Sequence, residues 1–257
     1  MAQSLFEQLK DLPANQATQH LESLPKEALD DLSTSPWWFI GRPEQQEPEG
    51  NWNIWLILAG RGWGKSRTGA QWIVDQALNH PKAPDLAPTE WAIIAETFSD
   101  ARKICVEGAS GVIRVLKNMR LVEGFDYEYN KSLWQIIFKD GQKIHLFGAD
   151  NPDAGRGLNL SGIWADEIAK WRYPYATWYE GIAPALRIGE KPRACITTTP
   201  NPSHFCVSGL AAQMGQSLSL AVRPLTTQQT SHLLHCLNCK RDMLERASAD
   251  RNYLGNT

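Results

Sequence analysis

The sequence has no long apolar run and no large excess of positive or negative charge, and its number of cysteines is odd. No apolar stretch approaches the ~18 residues that a membrane-spanning helix needs, and residues 1–10 lack the basic and then apolar profile of a secretory signal. Lys and Arg number 26 against 28 Asp and Glu, so the net charge of −2 provides no global basic field for nucleic acid. Five cysteines favour a reducing compartment over a disulfide framework. We therefore expect a cytoplasmic protein without a membrane partner.

Tryptophan is missing from the C-terminal end of the chain. All 11 tryptophans lie between Trp37 and Trp178, although the chain has 257 residues. The composition is otherwise ordinary, with 42% hydrophobic and 21% charged residues, which is typical of a globular protein. The loss of tryptophan indicates that the C-terminal end differs in kind from the rest.

Apolar strands alternate with helical patterns and predict an α/β domain. Continuous apolar runs, typical of strands buried on both faces, occur at residues 54–59, 91–95, 163–165 and 194–197. Helical patterns occur at residues 65–78 and 99–118, and Asp140-Gly141 predicts a hairpin of residues 133–138 with 143–147. We expect a mostly parallel sheet flanked by helices.

The chain is predicted to have three parts. Leucines at helical spacing over residues 4–32, interrupted by Pro13 and Pro25, predict an N-terminal helical appendage. With its polar connector this part spans residues 1–50, and the α/β domain spans residues 51–220. Residues 221–257 are expected to be a poorly structured tail.

A glycine-rich loop follows the first predicted strand and opens the first long helix. It consists of Ala59, Gly60, Arg61, Gly62, Trp63, Gly64, Lys65 and Ser66. Glycines let backbone N–H groups point at phosphate oxygens, and the helix N-terminus adds a favourable dipole. In such a loop the lysine reaches the β- and γ-phosphates of ATP and the serine hydroxyl binds Mg²⁺. Ala59 replaces the usual first glycine, but the strand before and the helix after favour this interpretation over a chance Gly-Lys-Ser in a turn.

Two adjacent carboxylates, Asp166 and Glu167, end the apolar run at residues 163–165. Alone, such a pair is typical of a solvated strand end or a helix N-terminus. In a P-loop ATPase the first acid holds Mg²⁺ and the second orients the attacking water. Because the loop and the pair share one chain, we predict Mg²⁺-dependent ATP hydrolysis with Asp166 at the metal and Glu167 as the catalytic residue.

Four segments together resemble the ATPase domain of the large terminase subunit of tailed bacteriophages and gene transfer agents. They are residues 58–67, 95–98, 164–171 and 197–200, and the resemblance covers about residues 36–220. It implies a P-loop NTPase fold of the additional-strand, catalytic-glutamate type and a motor that drives viral DNA into a procapsid. The partners implied are double-stranded viral DNA, the portal and procapsid, the small terminase subunit and further copies in a homo-oligomeric ring, all in the bacterial host cell.

The same resemblance implies roles for individual residues. Nucleotide binding falls to Gly60, Arg61, Gly62, Trp63, Gly64, Lys65, Ser66 and Arg67. Arg61 takes the position of a nucleotide-sensing basic residue, and Arg156 that of an arginine finger for a neighbouring subunit, with a solvated loop arginine as its alternative. Thr197, Thr198 and Thr199 match the coupling motif, whereas β-propensity alone explains such a run otherwise. Gln45 and Gln46 are candidate contacts to adenine.

The tail does not continue the family pattern, which implies a C-terminal nuclease domain that this chain is expected to lack. Read one nucleotide earlier, residues 239–256 can encode a sequence that resembles the linker after the ATPase part of the family. Residues 223–232 behave likewise, so we expect a frameshift near residues 215–222. A zinc site formed by His232, His235, Cys236 and Cys239 is the disfavoured alternative, because structural zinc sites usually take ligand pairs from two separated segments.

Three functions remain open at this stage. The first is the ATP-hydrolysing motor domain without its nuclease. The second is an inactive prophage remnant that keeps the fold and at most binds nucleotide or partners. The third is another P-loop motor such as a helicase, against which the segment at residues 164–171 argues.

Overall fold

A computed structural model describes residues 13–23, 25, 37–79, 89–153, 155–189, 191–199 and 218–222. In this part of the chain the strands are β1 (Ile54–Leu58), β2 (Glu90–Ala95), β3 (Tyr127–Asn130), β4 (Gln135–Phe138), β5 (Lys143–Gly148), β6 (Leu160–Asp166), β7 (Arg193–Thr198) and β8 (Leu218–Val222). They form one sheet in the order β3-β4-β5-β2-β6-β7-β1-β8. The predicted buried strands and the hairpin around Asp140-Gly141 are confirmed.

The sheet is mostly parallel. β4 pairs antiparallel with β3 and β5, and every other neighbouring pair is parallel. β7 lies between β1 and β6, which is the inserted strand expected of the additional-strand class. Because parallel strands all end at one edge, the chain segments that follow β1, β7 and β6 lie side by side.

Helices cover both faces of this sheet. The α-helices are α1 (Ala14–Glu22), α2 (Trp37–Ile40), α3 (Lys65–Asn79), α4 (Phe98–Asp100) and α5 (Val112–Asn118). Two π-helical segments, Ala101–Val106 and Ala176–Ile182, and three 3₁₀ turns, Pro43–Gln45, Ile168–Lys170 and Ala183–Ala185, complete them. Within the described ranges, no helix has the length and apolar character that crossing a membrane requires.

The single helix predicted over residues 99–118 is wrong. The chain there forms α4, a π-helical segment and α5, with a break between Val106 and Val112. Two glycines account for the break, since a Cβ on Gly108 would lie 2.4 Å from the Ile104 carbonyl oxygen and one on Gly111 2.6 Å from that of Val106. The backbone can fold this tightly only where it carries no side chain.

Two strands, β3 and β8, were not predicted from the sequence. β8 pairs in parallel with β1 and crosses both the predicted domain boundary at residue 220 and the expected frameshift region. The rest of the tail, including His232, His235, Cys236 and Cys239, lies outside the described residues, so the zinc site, the frameshift and the division into three parts stay predictions. The appendage helices other than α1 also lie outside them.

The core has two halves, one on each face of the sheet. All five residues of β1 are buried, with Trp55 and Ile57 in one cluster and Ile54 and Leu56 in the other. α3 packs directly on the sheet, because a Cβ on Gly69 would lie only 2.2 Å from the indole of Trp164. This close approach fixes the start of α3 against the end of β6.

Candidate functional site

The glycine-rich loop connects β1 to α3 in a backbone conformation that glycine favours. Gly62 and Gly64 have φ angles of 76° and 93°, values that other residues rarely adopt. α3 begins at Lys65, and the Thr68 N–H donates to the Gly64 carbonyl at 2.9 Å. The loop therefore presents a helix N-terminus at the edge where β1, β7 and β6 end.

The connector before β1 holds this loop from outside. Gln45 is buried, and its Nε2 donates to Thr68 Oγ1 at 3.0 Å and to the Trp63 carbonyl at 3.4 Å. The Arg42 guanidinium donates to the same carbonyl and lies 5.1 Å from the centroid of the Trp63 ring. Gln46 Nε2 instead donates to the carbonyls of Trp37 and Gly41. Gln45 thus braces the loop, which the sequence did not reveal.

A pocket of about 540 Å³ lies beside α3. Gln45, Gln46 and Arg67, which were singled out in the sequence, all line it together with Trp37 and Trp72. The Arg67 guanidinium lies 5.6 Å from the Trp37 ring centroid and donates to Gln71 Oε1 at 3.3 Å. The guanidinium and the indole thus form one edge of the pocket and contact each other.

Lys65, Thr199 and Glu167 meet at the ends of β1, β7 and β6. Lys65 Nζ donates to Thr199 Oγ1 at 2.9 Å and lies 3.5 Å from Glu167 Oε1. It also donates to the carbonyls of Ala59 and Gly60, at 3.0 and 3.2 Å. Its ammonium is thus held over the glycine-rich loop by oxygen atoms from three chain segments.

The backbone of Glu167 is left-handed, with φ 50° and ψ 44°. This conformation costs a residue with a Cβ on the order of 1 kcal/mol. It is held in place because the Glu167 N–H donates to the Thr197 carbonyl at 2.6 Å and Thr199 binds the carboxylate. The strain turns the Glu167 side chain out of line with β6 and toward Lys65.

Asp166 is buried, and both of its carboxylate oxygens are hydrogen-bonded. Thr197 Oγ1 donates to Oδ1 at 2.6 Å, and Cys105 Sγ donates to Oδ2 at 3.6 Å. Burial, reinforced by the charge of Glu167, raises the pKa of Asp166 to about 6, although the bond from Thr197 lowers it. Trp164 Nε1 donates to Thr197 Oγ1 at 2.9 Å, so the Thr197 proton is free to point at Asp166.

The three consecutive threonines have three different partners. Thr197 binds Asp166, and Thr199 binds Lys65 and Glu167. Thr198 accepts the backbone N–H of Ala169 at 3.2 Å and so anchors the turn after Glu167. The sequence pointed to these three positions as a unit. In the structure, the side chains of Thr197 and Thr198 point to opposite faces of β7, and Thr199 follows the strand, so the three hydroxyls have different surroundings.

The two remaining predicted arginines lie at the surface. Arg61 is exposed at the tip of the loop. Arg156 is 59% exposed, and its Nε lies 2.9 Å from Asp153 Oδ1. Neither makes a contact, among those of the described residues, with Lys65, Asp166 or Glu167. The roles predicted for Arg61 and Arg156 therefore stay predictions.

Sequence reasoning missed Cys105, Trp164 and Arg42. Trp164 stands within a recognised segment, so its position in the strand two residues before Asp166 was a usable signal. Cys105 is 61 residues from Asp166 and carries no local motif. Only the packing of the π-helical segment Ala101–Val106 on the sheet brings its thiol to the carboxylate.

Comparison with solved structures finds matches to large terminases of bacteriophages. The ATPase domain of the Thermus phage P74-26 large terminase matches with a TM-score of 0.50 at 19% identity, over 69% of this chain and 70% of that one, and shows the same fold. The large terminase of a thermophilic bacteriophage in complex with ADP matches with a TM-score of 0.47 at 17% identity, over 74% of this chain and 44% of that one. The bacteriophage HK97 large terminase matches with a TM-score of 0.46 at 16% identity, over 63% of this chain and 33% of that one.

Comparison of sequences gives the family. No curated protein sequence gives a significant match to the chain. The family model for the N-terminal part of the terminase large subunit, T4-like-virus type, matches residues 56–232, which is more than half of the chain. This protein therefore belongs to the family of terminase large subunits.

Proposed function

We propose that this chain binds ATP with Mg²⁺ at the carboxyl ends of β1, β7 and β6, and hydrolyses it as the motor domain of a terminase that packages viral DNA. One observation carries the proposal. Lys65, Thr199 and Glu167 come from three separate segments, yet Thr199 Oγ1 lies 2.9 Å from Lys65 Nζ and 2.8 Å from Glu167 Oε1. A cation, a hydroxyl and a carboxylate thus converge above a helix N-terminus.

The residues present fit a magnesium nucleotide. The N–H groups of the loop and the Lys65 ammonium suit the β- and γ-phosphates. Ser66 and Asp166 would hold Mg²⁺, an ion that takes oxygen ligands and is usually bound through one or two carboxylates together with phosphates and water. Bound Mg²⁺ would neutralise charge on the transferred phosphoryl group.

Catalysis requires Lys65 to exchange partners. In its present position the ammonium is shared by Thr199, Glu167 and two carbonyls. When Lys65 moves to a phosphate oxygen, Glu167 loses its cation and its carboxylate becomes available to orient a water and accept its proton. Thr199 contacts both side chains, so it is placed to report this exchange to β7.

In this proposal the adenine base of ATP binds in the pocket beside α3. Gln45, Gln46 and Arg67 line it, and Arg67 and Trp37 offer planar groups for stacking. Arg61, at the exposed tip of the loop, would sense the phosphates. Arg156 would act in trans in a homo-oligomeric ring, as an arginine finger for the neighbouring subunit. In this proposal the portal and procapsid, the small terminase subunit and double-stranded DNA are its partners.

The decisive measurement is ATP hydrolysis by the unaltered chain and by Glu167→Gln, with and without Mg²⁺ and DNA. We expect Mg²⁺-dependent turnover that the variant loses while it still binds a fluorescent ATP analogue. Glu128→Gln is the matched control, because Glu128 is an exposed carboxylate of β3, the edge strand of the sheet far from β1 and β7. If the unaltered chain binds nucleotide without turnover in every condition, the inactive remnant is the correct description instead.

A further inference from the structure

A short basic and aromatic segment lies directly after Glu167. Lys170 and Arg172 are exposed, and Tyr173 and Tyr175 are 44% and 46% exposed. The Arg172 guanidinium lies 5.1 Å from the centroid of the Tyr173 ring. Residues 168–179 contain no Asp or Glu. The positive charge of this segment is therefore not neutralised by carboxylates of its own sequence.

Trp171 anchors this segment to the candidate site. It stands between the two exposed cations, but it is only 3% exposed, and its Nε1 donates to the Asp166 backbone carbonyl at 3.0 Å. The 3₁₀ turn Ile168–Lys170 before it is tied to β7 by the bond from the Ala169 N–H to Thr198. Lys170 thus lies between two anchored residues, and Arg172 directly follows the second of them.

We propose that Lys170, Arg172 and Tyr173 contact the phosphate backbone of duplex DNA, and we call these three residues the basic segment. This inference rests on the proposed function, since it names the surface by which the motor meets its DNA. With a net charge of −2, the chain needs a local patch for binding a polyanion. Cations and hydroxyls supply most protein contacts to DNA phosphates, and such contacts hold DNA without reading its sequence.

The position of the basic segment also gives the contact a mechanical meaning. Trp171 hydrogen-bonds the backbone of Asp166, and Glu167 is the next residue. A load on Lys170 or Arg172 would therefore reach the backbone of Asp166 through one buried side chain. Such a contact would give the motor a route from force on its DNA to the site of hydrolysis.

The test is equilibrium binding of a fluorescent DNA duplex to the full chain over a series of salt concentrations. Lys170→Ala/Arg172→Ala is compared with Lys103→Ala/Lys117→Ala. The second variant removes two other exposed cations, one from the π-helical segment Ala101–Val106 and one from α5. We expect the first variant to bind at least roughly tenfold more weakly at low salt, and its slope of log K against log[salt] to be shallower by about 1.8, or ~0.9 for each lost phosphate contact. The control variant should keep the slope of the unaltered chain.

Three results would overturn the inference. One is equal loss of affinity in both double variants, which indicates net charge rather than a contact surface. Another is an unchanged affinity and slope in Lys170→Ala/Arg172→Ala. The third is no binding of duplex by the unaltered chain at low salt. Single Lys170→Gln and Arg172→Gln variants repeat the slope measurement with smaller changes. ATP hydrolysis measured on the same preparation separates the two proposals, since its absence contradicts the proposed function and leaves the DNA result standing.

Discussion

Thr199 binds both carboxylate oxygens of Glu167. Its backbone N–H donates to Oε2 at 3.0 Å, and its hydroxyl donates to Oε1 at 2.8 Å while accepting from Lys65 Nζ. A single residue at the end of β7 therefore fixes the orientation of the carboxylate and bridges it to the cation of the loop. Loss of the hydroxyl would leave the backbone bond in place and remove the bridge.

Thr199→Val tests this bridge. We expect kcat to fall about 10- to 100-fold, because a hydrogen bond to a charged group contributes ~1.5–3 kcal/mol. The free energy of unfolding should change by less than the free energy of activation does, because Thr199 is only half-buried and valine has the same shape as threonine. Steady-state hydrolysis and urea unfolding measure the two effects.

Thr198→Val is the matched control for that variant. Its hydroxyl accepts the Ala169 N–H, so valine leaves a buried donor without a partner. We expect a loss of ~1–3 kcal/mol in the free energy of unfolding and a smaller effect on kcat than in Thr199→Val. Equal losses of kcat in the two variants would contradict separate roles for the two hydroxyls.

Arg156→Ala should lose turnover only where subunits assemble. An arginine finger contributes ~10³-fold or more in rate, and the exposed Arg156 contacts no residue of its own candidate site among those described. Hydrolysis is compared between dilute protein and protein assembled on DNA or procapsids. Asp153→Ala removes the partner of Arg156 and should leave turnover in the ring intact. An undiminished rate for Arg156→Ala in the ring would rule out the finger.

Gly64→Ala should weaken nucleotide binding and stability together. Gly64 has φ +93°, and an added Cβ would lie 2.7 Å from Gln45 Nε2. The backbone strain alone costs about 1–2 kcal/mol. Gly50→Ala is the control, because Gly50 has φ +88° with nothing within 4 Å. In thermal unfolding, Gly50→Ala should lose about as much stability as Gly64→Ala, but its Kd for an ATP analogue should not change. An equal loss of nucleotide affinity in Gly50→Ala would argue that the contact between Gln45 and the loop does not matter for binding.

Asp75→Asn should stabilise the protein in neutral but not in acidic solution. Burial raises the pKa of Asp75 from 3.8 to about 6, the hydrogen bond from Gln71 and the charge of Arg67 lower it, and the charge of Glu47 raises it. The folded state therefore favours the neutral carboxyl. The neutral Asp75 contributes its full share to the free energy of unfolding below pH 3.8, and this share is lost as the pH rises through about 6.

The expected gain follows from the size of that shift. At ~1.4 kcal/mol per pKa unit, neutralising Asp75 raises the free energy of unfolding by up to about 3 kcal/mol above pH ~7 and by almost nothing near pH ~4. Urea unfolding at both pH values measures it. Glu128→Gln neutralises an exposed carboxylate of β3 and should give little gain at either pH. The same gain at both values for Asp75→Asn would contradict an ionisation effect.

Local chemistry made the fold class and the main candidate residues predictable from the sequence. Gly62, Gly64, Lys65 and Ser66 lie close together in one short run, and Asp166 and Glu167 directly follow an apolar run. The break between Val106 and Val112 escaped prediction because helical periodicity outweighed two glycines. β8 escaped it because a strand of only five residues, one of them serine, carries a weak signal.

By itself the sequence determined which residues are the candidates for binding phosphate and metal, since a loop, a lysine and a carboxylate pair are encoded in short consecutive runs. Only the tertiary structure decided which of them meet and how each is held. β7 enters between β1 and β6 and so places Thr199 between Lys65 and Glu167. Packing across the sheet brings Cys105 to Asp166, and the connector brings Gln45 to the loop. These contacts join residues far apart in the chain, and their geometry follows from strand order and close packing, which no local pattern encodes.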